Sequence, residues 1–483
     1  MERISGSRQA AAVFSSALIL PIILHLLARE EAKVPSKRLI LGVLSARDHF
    51  SQREAIRQTW GSAVRGLSDV EMKFVLGDQD CSIHPADRIS PYGCDVWHLA
   101  QDLEKDEPKT FFKAHHASEQ KESLRSVSGC FTGLGFRVLH PVIIERFMVP
   151  RVVIKGSNNL ILKLSDPEEV HEEIRLSPSA CFEEGDLCSI KLPYHLKLPR
   201  GFEGELSVVS EEENEDLCEL NLHDFQNAGD WVCDWNNNSV IEYKFLRMKK
   251  NILTKWHKSA CPLVSAKFTV ADRPFLTEHR QQQAQRTEAW MEHLADLQAK
   301  VEEEQSHYQD LLLLPHLDVY TYLSLKVMFL LRWATYNYNF SYVMKVDDDT
   351  LVNVSLLNLL VDDGGEEDHV WWSLFNHHHS VPFYGKWADL TYPSLSYPTF
   401  PAGSGYLMTR SLVKSLVDAH NHLVPHGGED VSMGIWVSSV CAGARHIDVP
   451  CWLPHAHCPE SVLVPQLSVQ QMVEMWQNLT HRM

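Results

Sequence analysis

Three consecutive aspartates, Asp347, Asp348 and Asp349, end an apolar run in "YVMKVDDDTLVN", residues 342 to 353. Tyr342, Val343, Met344 and Val346 read as a buried strand, with the acids at its carboxyl end. Three adjacent carboxylates repel one another, so a divalent cation or the solvent of a loop must offset them. Hard cations such as Mg²⁺ and Mn²⁺ take carboxylate oxygen, usually from one or two protein carboxylates plus substrate phosphates. Side chains alternate along a strand, which puts Asp347 and Asp349 on one face and Asp348 on the other. One face could then hold a metal and a nucleotide while the other is structural.

A second constellation lies downstream. "FPAGSGYLMT" (400 to 409) is a small-residue loop before an apolar run, and Gly403, Ser404 and Gly405 let backbone approach a substrate. "HGGEDVSMGIW" (426 to 436) places Glu429 and Asp430 at the expected amino end of a helix. Acids there either cap the first turn or supply a general base that takes a proton from an incoming hydroxyl.

These residues need a frame. "KRLILGVLSA" (37 to 46) predicts a strand, Ser51 and Glu54 sit at capping-box spacing for a helix, and "MKFVLG" (72 to 77) predicts a second strand. This order suggests a parallel, nucleotide-binding-like sheet, whose ligands sit beyond the carboxyl ends of the strands. Between about Cys94 and Phe275 short β-type runs alternate with turn residues, which predicts an antiparallel β insertion, a sandwich. Across 278 to 307, Trp290, Leu294, Leu297 and Val301 give one apolar helical stripe that packs back on the body. "DLLLL" (310 to 314) resumes the sheet. The fold class is therefore α/β, one split domain over 38–80 and 308–483 with a mainly β insertion over 81–277.

The 483-residue chain has 44% hydrophobic and 22% charged residues and a net charge of -18. No basic surplus is left to neutralise phosphates, which argues against nucleic-acid binding. Residues 10 to 28 are nearly uninterrupted apolar sequence, long enough for a transmembrane helix. A cleaved signal peptide is the rival, but no small-residue cleavage site follows. The favoured reading is a signal-anchor in the lipid bilayer, with a cytosolic tail (1–9), a short stem (29–37) and the bulk of the chain in the lumen. Eleven cysteines without a CxxC pair disfavour a zinc or thioredoxin-like site. Glycosylation sequons stand at Asn237, Asn339, Asn353 and Asn478, with Asn353 too near the acids to carry a glycan easily.

Taken together, "VLSARDHFSQREAIRQTW", "KFVLG", "YVMKVDDDT", "GKWADLTYPSLSYPTFPAGSGYLMT" and "GEDVSMGIW" resemble the inverting β-1,3-glycosyltransferases of the Golgi and endoplasmic reticulum, which have a GT-A fold. The order and spacing of the pieces make the resemblance specific. It implies single-pass type II Golgi or endoplasmic reticulum membrane proteins, Mn²⁺ or Mg²⁺ as cofactor, and a UDP-sugar donor. Within the family, the long insertion and "DQDCSIHPADRISPYGC" imply transfer of GalNAc from UDP-GalNAc to the 3-hydroxyl of a terminal β-GlcNAc. The implied acceptor is a glycoprotein, specifically the O-mannosyl glycan of α-dystroglycan.

Carried onto this chain, the resemblance makes Asp349 and Asp347 the metal ligands and Asp430 the general base. Asp347, Asp348, Arg47, Arg57, Lys326, Gly403, Ser404, Gly405 and Glu429 would meet the nucleotide sugar. Arg53 and Arg57 share a helix face, where they either approach the diphosphate or form salt bridges. The chain departs from the family at Tyr322, where Asn is usual, and at Pro401, where many members carry Cys. His455 and His457 stand where a late histidine often completes the metal site, and "NHHHS" (376 to 380) reads as a variable loop. Three alternatives remain: a different donor, galactose or GlcNAc; a catalytically inactive, lectin-like binding protein; and a cytosolic phosphoryl or nucleotidyl transferase, against which the missing GxxxxGK[ST] loop argues.

Overall fold

The computed structural model describes residues 34–480 except 100–106, 117–130, 152–153, 155–159, 178, 180, 185–186, 212–230, 236–238, 250–251, 257–260, 364–367 and 459. The apolar segment at 10–28 and the sequon at Asn237 lie outside the described residues. Among the described residues no helix is long and apolar enough to cross a membrane.

A seven-stranded mixed sheet carries the functional residues. Its strands are β1 (Ser36–Leu44), β2 (Val70–Gln79), β3 (Leu311–Leu317), β4 (Asn339–Asp347), β5 (Val370–Ser373), β6 (Gly405–Thr409) and β7 (Arg445–Asp448). They lie in the order β3-β2-β1-β4-β6-β5-β7. The first four run parallel, and β6 is antiparallel to both neighbours. A parallel sheet needs both faces covered, and its strands therefore read as continuous apolar runs. Leu39, Leu41 and Val43 of β1 enter one core with Ala55 and Ile56 of helix α1 (Phe50–Gln58). Ile40 and Leu44 enter the other with Val327, Leu330 and Leu331 from a helix over Leu323–Asn337.

Helix α1 corrects one expectation. Its N-cap is His49 with no side-chain cap, and Ser51 Oγ bonds Gln52 instead of completing a capping box. Glu54 accepts from Gln58 and from the Tyr308 hydroxyl, so tertiary packing claims the acid. The polar stretch becomes two helices, Arg273–Gln281 and α2 (Gln283–Tyr308). Leu297 and Val301 of α2 are buried in the core beside β1 and β2.

Between β2 and β3 the chain forms two packed antiparallel sheets of five and six strands. Phe111, Phe136, Phe147 and Phe268 share their common core. Disulfides join Cys81–Cys94, Cys181–Cys188, Cys233–Cys261 and Cys451–Cys458; among the described residues Cys441 is the free thiol. Asn339 and Asn478 are exposed. Asn353 is 6% exposed and its side chain accepts the Leu356 N–H, so it serves the start of a helix and is no glycan acceptor in this fold.

Candidate active site

The acids converge at the carboxyl ends of the parallel strands. β4 ends at Asp347, and Asp348 and Asp349 follow in a turn. Lys345 precedes Asp347 by two residues, hence on the same strand face. It is 1% exposed, and its ammonium lies 2.8 Å from Asp347 Oδ1 and 2.9 Å from Glu429 Oε2. It also donates to the Gly403 carbonyl. All three of its donors are therefore engaged. Burial acts to lower the Lys345 pKa, but the Asp347 and Glu429 carboxylates outweigh it and raise it. One buried cation thus ties the acid-ended strand to the glycine loop and to helix α3 (Glu429–Val440).

Glu429 is 8% exposed and also accepts from the buried Tyr406 hydroxyl. Burial pushes its pKa up to about 7, against the pull of Lys345 and with a further push from Asp430. With both carboxylate oxygens held inside the protein, Glu429 anchors the site and does not face substrate. Asp430, one residue on, is only partly buried. Its Oδ1 accepts the Val431 N–H at 2.9 Å. Its Oδ2 faces Gly403, where a methyl group would sit 3.2 Å away. Burial raises its pKa, with the Asp347 charge adding to the rise. A carboxylate raised toward neutrality at a cleft is suited to proton transfer.

The three aspartates have different surroundings, although only Asp347 belongs to the strand. Asp348 is 7% exposed and turned away: Ser45 Oγ donates to it at 2.6 Å and His49 Nδ1 lies at 2.9 Å. That hydrogen bond raises the His49 pKa. The nucleotide-contact role expected for Asp348 is thus replaced by a structural one. Asp347 is 39% exposed. Asp349 is half-buried, and burial followed by the Asp347 charge raises its pKa. Ser404 lies alongside, its carbonyl accepting the Asp347 N–H at 3.2 Å and its buried hydroxyl without a partner among the described residues. Two mutually repelling carboxylates beside an unpartnered hydroxyl fit a hard divalent cation, which takes its remaining ligands from phosphate and water. Gly405 opens β6, and a side chain there would meet Leu463 at 2.6 Å.

Three basic residues expected at the nucleotide sugar are committed elsewhere. Arg47 is 2% exposed and is held by Asp80, Gln298 and the Gly77 carbonyl. Arg57 is 4% exposed and pairs with Asp310 at 2.8 Å and Glu304 at 2.7 Å. Asp310 leads into β3, three strands from β4, or about 14 Å across a sheet. Lys326 is 1% exposed and holds Asp318 at 2.6 Å and the Ser45 carbonyl at 2.9 Å. Each is a buried strut of the sheet edge. Arg53, 0% exposed, reaches nearest: it donates to Ser45 Oγ, the donor to Asp348, and is clamped by Glu304.

The sequence reading passed over Lys345, although its signal was present: a lysine inside an apolar strand, two residues before an acid. It also passed over an aromatic wall. Tyr92 and Trp387 flank Tyr320, with the Tyr92 ring 5.6 Å from it, Trp387 Nε1 donating to the Tyr320 hydroxyl at 3.1 Å and Lys386 3.9 Å above the Tyr320 ring. Burial raises the Tyr320 pKa, and the Asp430, Glu429 and Asp347 charges add to it. Trp387 is 61% exposed. His455 lies in the loop closed by the Cys451–Cys458 disulfide, 2.8 Å from Cys458 Sγ. Those sulfurs are covalently committed, and among the described residues no histidine groups with Asp347 or Asp349 as a metal ligand. His377 of the histidine run bonds Thr399 in an exposed loop.

Residues 291–448 match the family model described as Galactosyltransferase, so the chain carries a glycosyltransferase domain of that family. Over 454 residues it is 28% identical to a Homo sapiens protein named UDP-GalNAc:beta-1,3-N-acetylgalactosaminyltransferase 2, covering 91% of this chain and 87% of that one. The Danio rerio protein of the same name is 27% identical over 493 residues, 97% of each chain. Mus musculus beta-1,3-galactosyltransferase 6 is 31% identical over 150 residues, 30% of this chain and 46% of that one. The long matches span the β insertion as well as the catalytic sheet.

Proposed function

We propose that this glycosyltransferase moves GalNAc from UDP-GalNAc to the 3-hydroxyl of a terminal β-GlcNAc on a glycoprotein glycan, with inversion. The O-mannosyl glycan of α-dystroglycan is the acceptor that the sequence resemblance suggests. The observation that carries the reading is the Asp430 carboxylate beside Gly403, next to the Asp347 and Asp349 pair. Asp430 takes the proton of the acceptor hydroxyl as that oxygen bonds to the anomeric carbon. The bond from that carbon to the diphosphate breaks on the opposite face, and UDP leaves with the electron pair. An α-linked donor thereby gives a β-linked product, and the charge and proton roles parallel those of inverting sugar hydrolysis. Asp347 and Asp349 would hold Mn²⁺ or Mg²⁺, whose chemistry is to offset charge on the diphosphate.

The chain is placed by this reading in the Golgi or endoplasmic reticulum, anchored through residues 10–28, with the catalytic domain in the lumen. Its four described disulfides support an oxidising compartment. The test is UDP release by the full chain with Mn²⁺, a β-GlcNAc acceptor, and UDP-GalNAc, UDP-Gal or UDP-GlcNAc in turn. Acceptor-dependent turnover with UDP-GalNAc alone is expected. Turnover only with another donor would keep the mechanism and overturn the donor; none with any donor would overturn the reading.

A further inference from the structure

A cavity of about 250 Å³ lies between the loop closed by the Cys81–Cys94 disulfide and the edge of the β insertion. Three of its lining residues are arginines: Arg88 from the disulfide loop, Arg137 from the strand Gly133–Val138, and Arg200 from the turn after Leu198. Among the described residues no acidic one lines it. In a chain of net charge -18, three guanidiniums gathered around one hollow need a reason.

Ion pairing within the protein does not supply it. Arg88 donates at 2.8 Å to the Ile83 carbonyl and stacks over Trp290, and Arg200 stacks 4.9 Å over Trp97. Among the described residues no carboxylate forms an ion pair with either. Arg137 has Glu203 at 3.4 Å, yet its buried Nε makes no hydrogen bond there. Burial and then the Arg137 charge lower the pKa of Arg200, so the two guanidiniums repel each other. Rings fix the planes of Arg88 and Arg200 and a carbonyl orients Arg88, so the charge of these two is left for something else, with Arg137 only loosely held by Glu203. Guanidinium forks match phosphate, sulfate and carboxylate oxygens.

A short run of contacts links the cavity to the candidate active site. Pro91 lines the cavity, and the next residue, Tyr92, accepts the Thr321 N–H at 3.0 Å and packs its ring 5.6 Å from Tyr320. Tyr320 in turn faces the site carboxylates. We propose that this cavity is an anion subsite at the rim of the active site, built to hold the phosphate, sulfate or carboxylate of an acidic sugar within the acceptor glycan. Its acceptor role rests on the transferase reading above; the anion site itself does not.

The experiment is calorimetric titration of the full chain, saturated with UDP so that its diphosphate site is filled. The probes are glucose 6-phosphate, glucose 6-sulfate, glucuronate and neutral glucose. At least one anionic probe is expected to bind while glucose does not, and the tightest of the three identifies the anion source. Arg200→Gln and Arg137→Gln should each weaken that binding roughly tenfold, the size of a lost charge-assisted hydrogen bond. Arg200→Lys should restore part of it. Arg200 is exposed, so its loss leaves the fold intact, which thermal melting checks. Absence of anion binding to the unaltered chain, or equal binding by the variants, overturns the proposal. Failure of UDP itself to bind would count against the transferase reading and leave the anion result to stand separately.

Discussion

At the scale of single residues, Glu429 and Asp430 are neighbours with different tasks, set by what surrounds them. Glu429 has Lys345 and Tyr406 on its two oxygens, whereas Asp430 has one oxygen on the Val431 N–H and the other beside Gly403. Asp430→Asn is expected to lower turnover by about 10² to 10⁴ while leaving UDP binding unchanged, since general-base catalysis is worth that much. Calorimetry and initial rates separate the two; normal turnover would remove Asp430 as the base. The raised pKa of Asp430 also predicts a rate that climbs with pH as this carboxylate loses its proton, with a midpoint above the ordinary 3.8. Glu429 gives a stability signature. Its pKa rises from 4.5 to about 7, so the folded state holds the proton that the unfolded chain releases. Folding stability should therefore fall as pH rises through that window. Glu429→Gln should flatten this dependence in urea unfolding measured across it.

At the scale of elements, one buried acid fastens helix to helix. Glu304 of α2 holds both Arg53 and Arg57 of α1. Arg53 is 0% exposed, so removing its partner leaves a buried cation unpaired. Glu304→Ala is expected to cost about 3–5 kcal/mol in chemical denaturation. A loss below about 1 kcal/mol would mean that water replaces the carboxylate. The same reasoning explains the glycine loop: the Gly403 carbonyl is drawn to Lys345, and its missing side chain leaves the Asp430 oxygen uncovered.

At the scale of the whole molecule, the β insertion touches the segment that leads into the aromatic wall beside Tyr320. Glu203 accepts the Gly385 N–H at 2.7 Å, and the Phe245 ring packs 5.2 Å from Tyr384. Lys386 and Trp387 follow directly and form the aromatic wall over Tyr320. The insertion thus braces a loop whose next residues face the cleft. Glu203→Ala should raise the acceptor KM a few-fold, on the order of one lost hydrogen bond, with UDP binding unaltered. Equal kinetics for the variant would show that the ring packing suffices.

Strand, acid triplet, glycine loop and helix start were legible in the sequence because each is local. Apolar runs of strand length, a small-residue loop and two acids after "HGG" carry their own signals. Alternation alone already separated Asp348 from Asp347, and the structure puts Asp348 on Ser45 and His49. Only tertiary structure decided which charges are free. Arg47, Arg57 and Lys326 look available in the sequence, yet Asp80, Asp310 and Asp318 take them. Lys345 becomes central only when Asp347 and Glu429, 82 positions apart, meet on one ammonium. The physical reason is that a buried charge must be paired, and its partner is chosen by packing across the sheet rather than by distance along the chain.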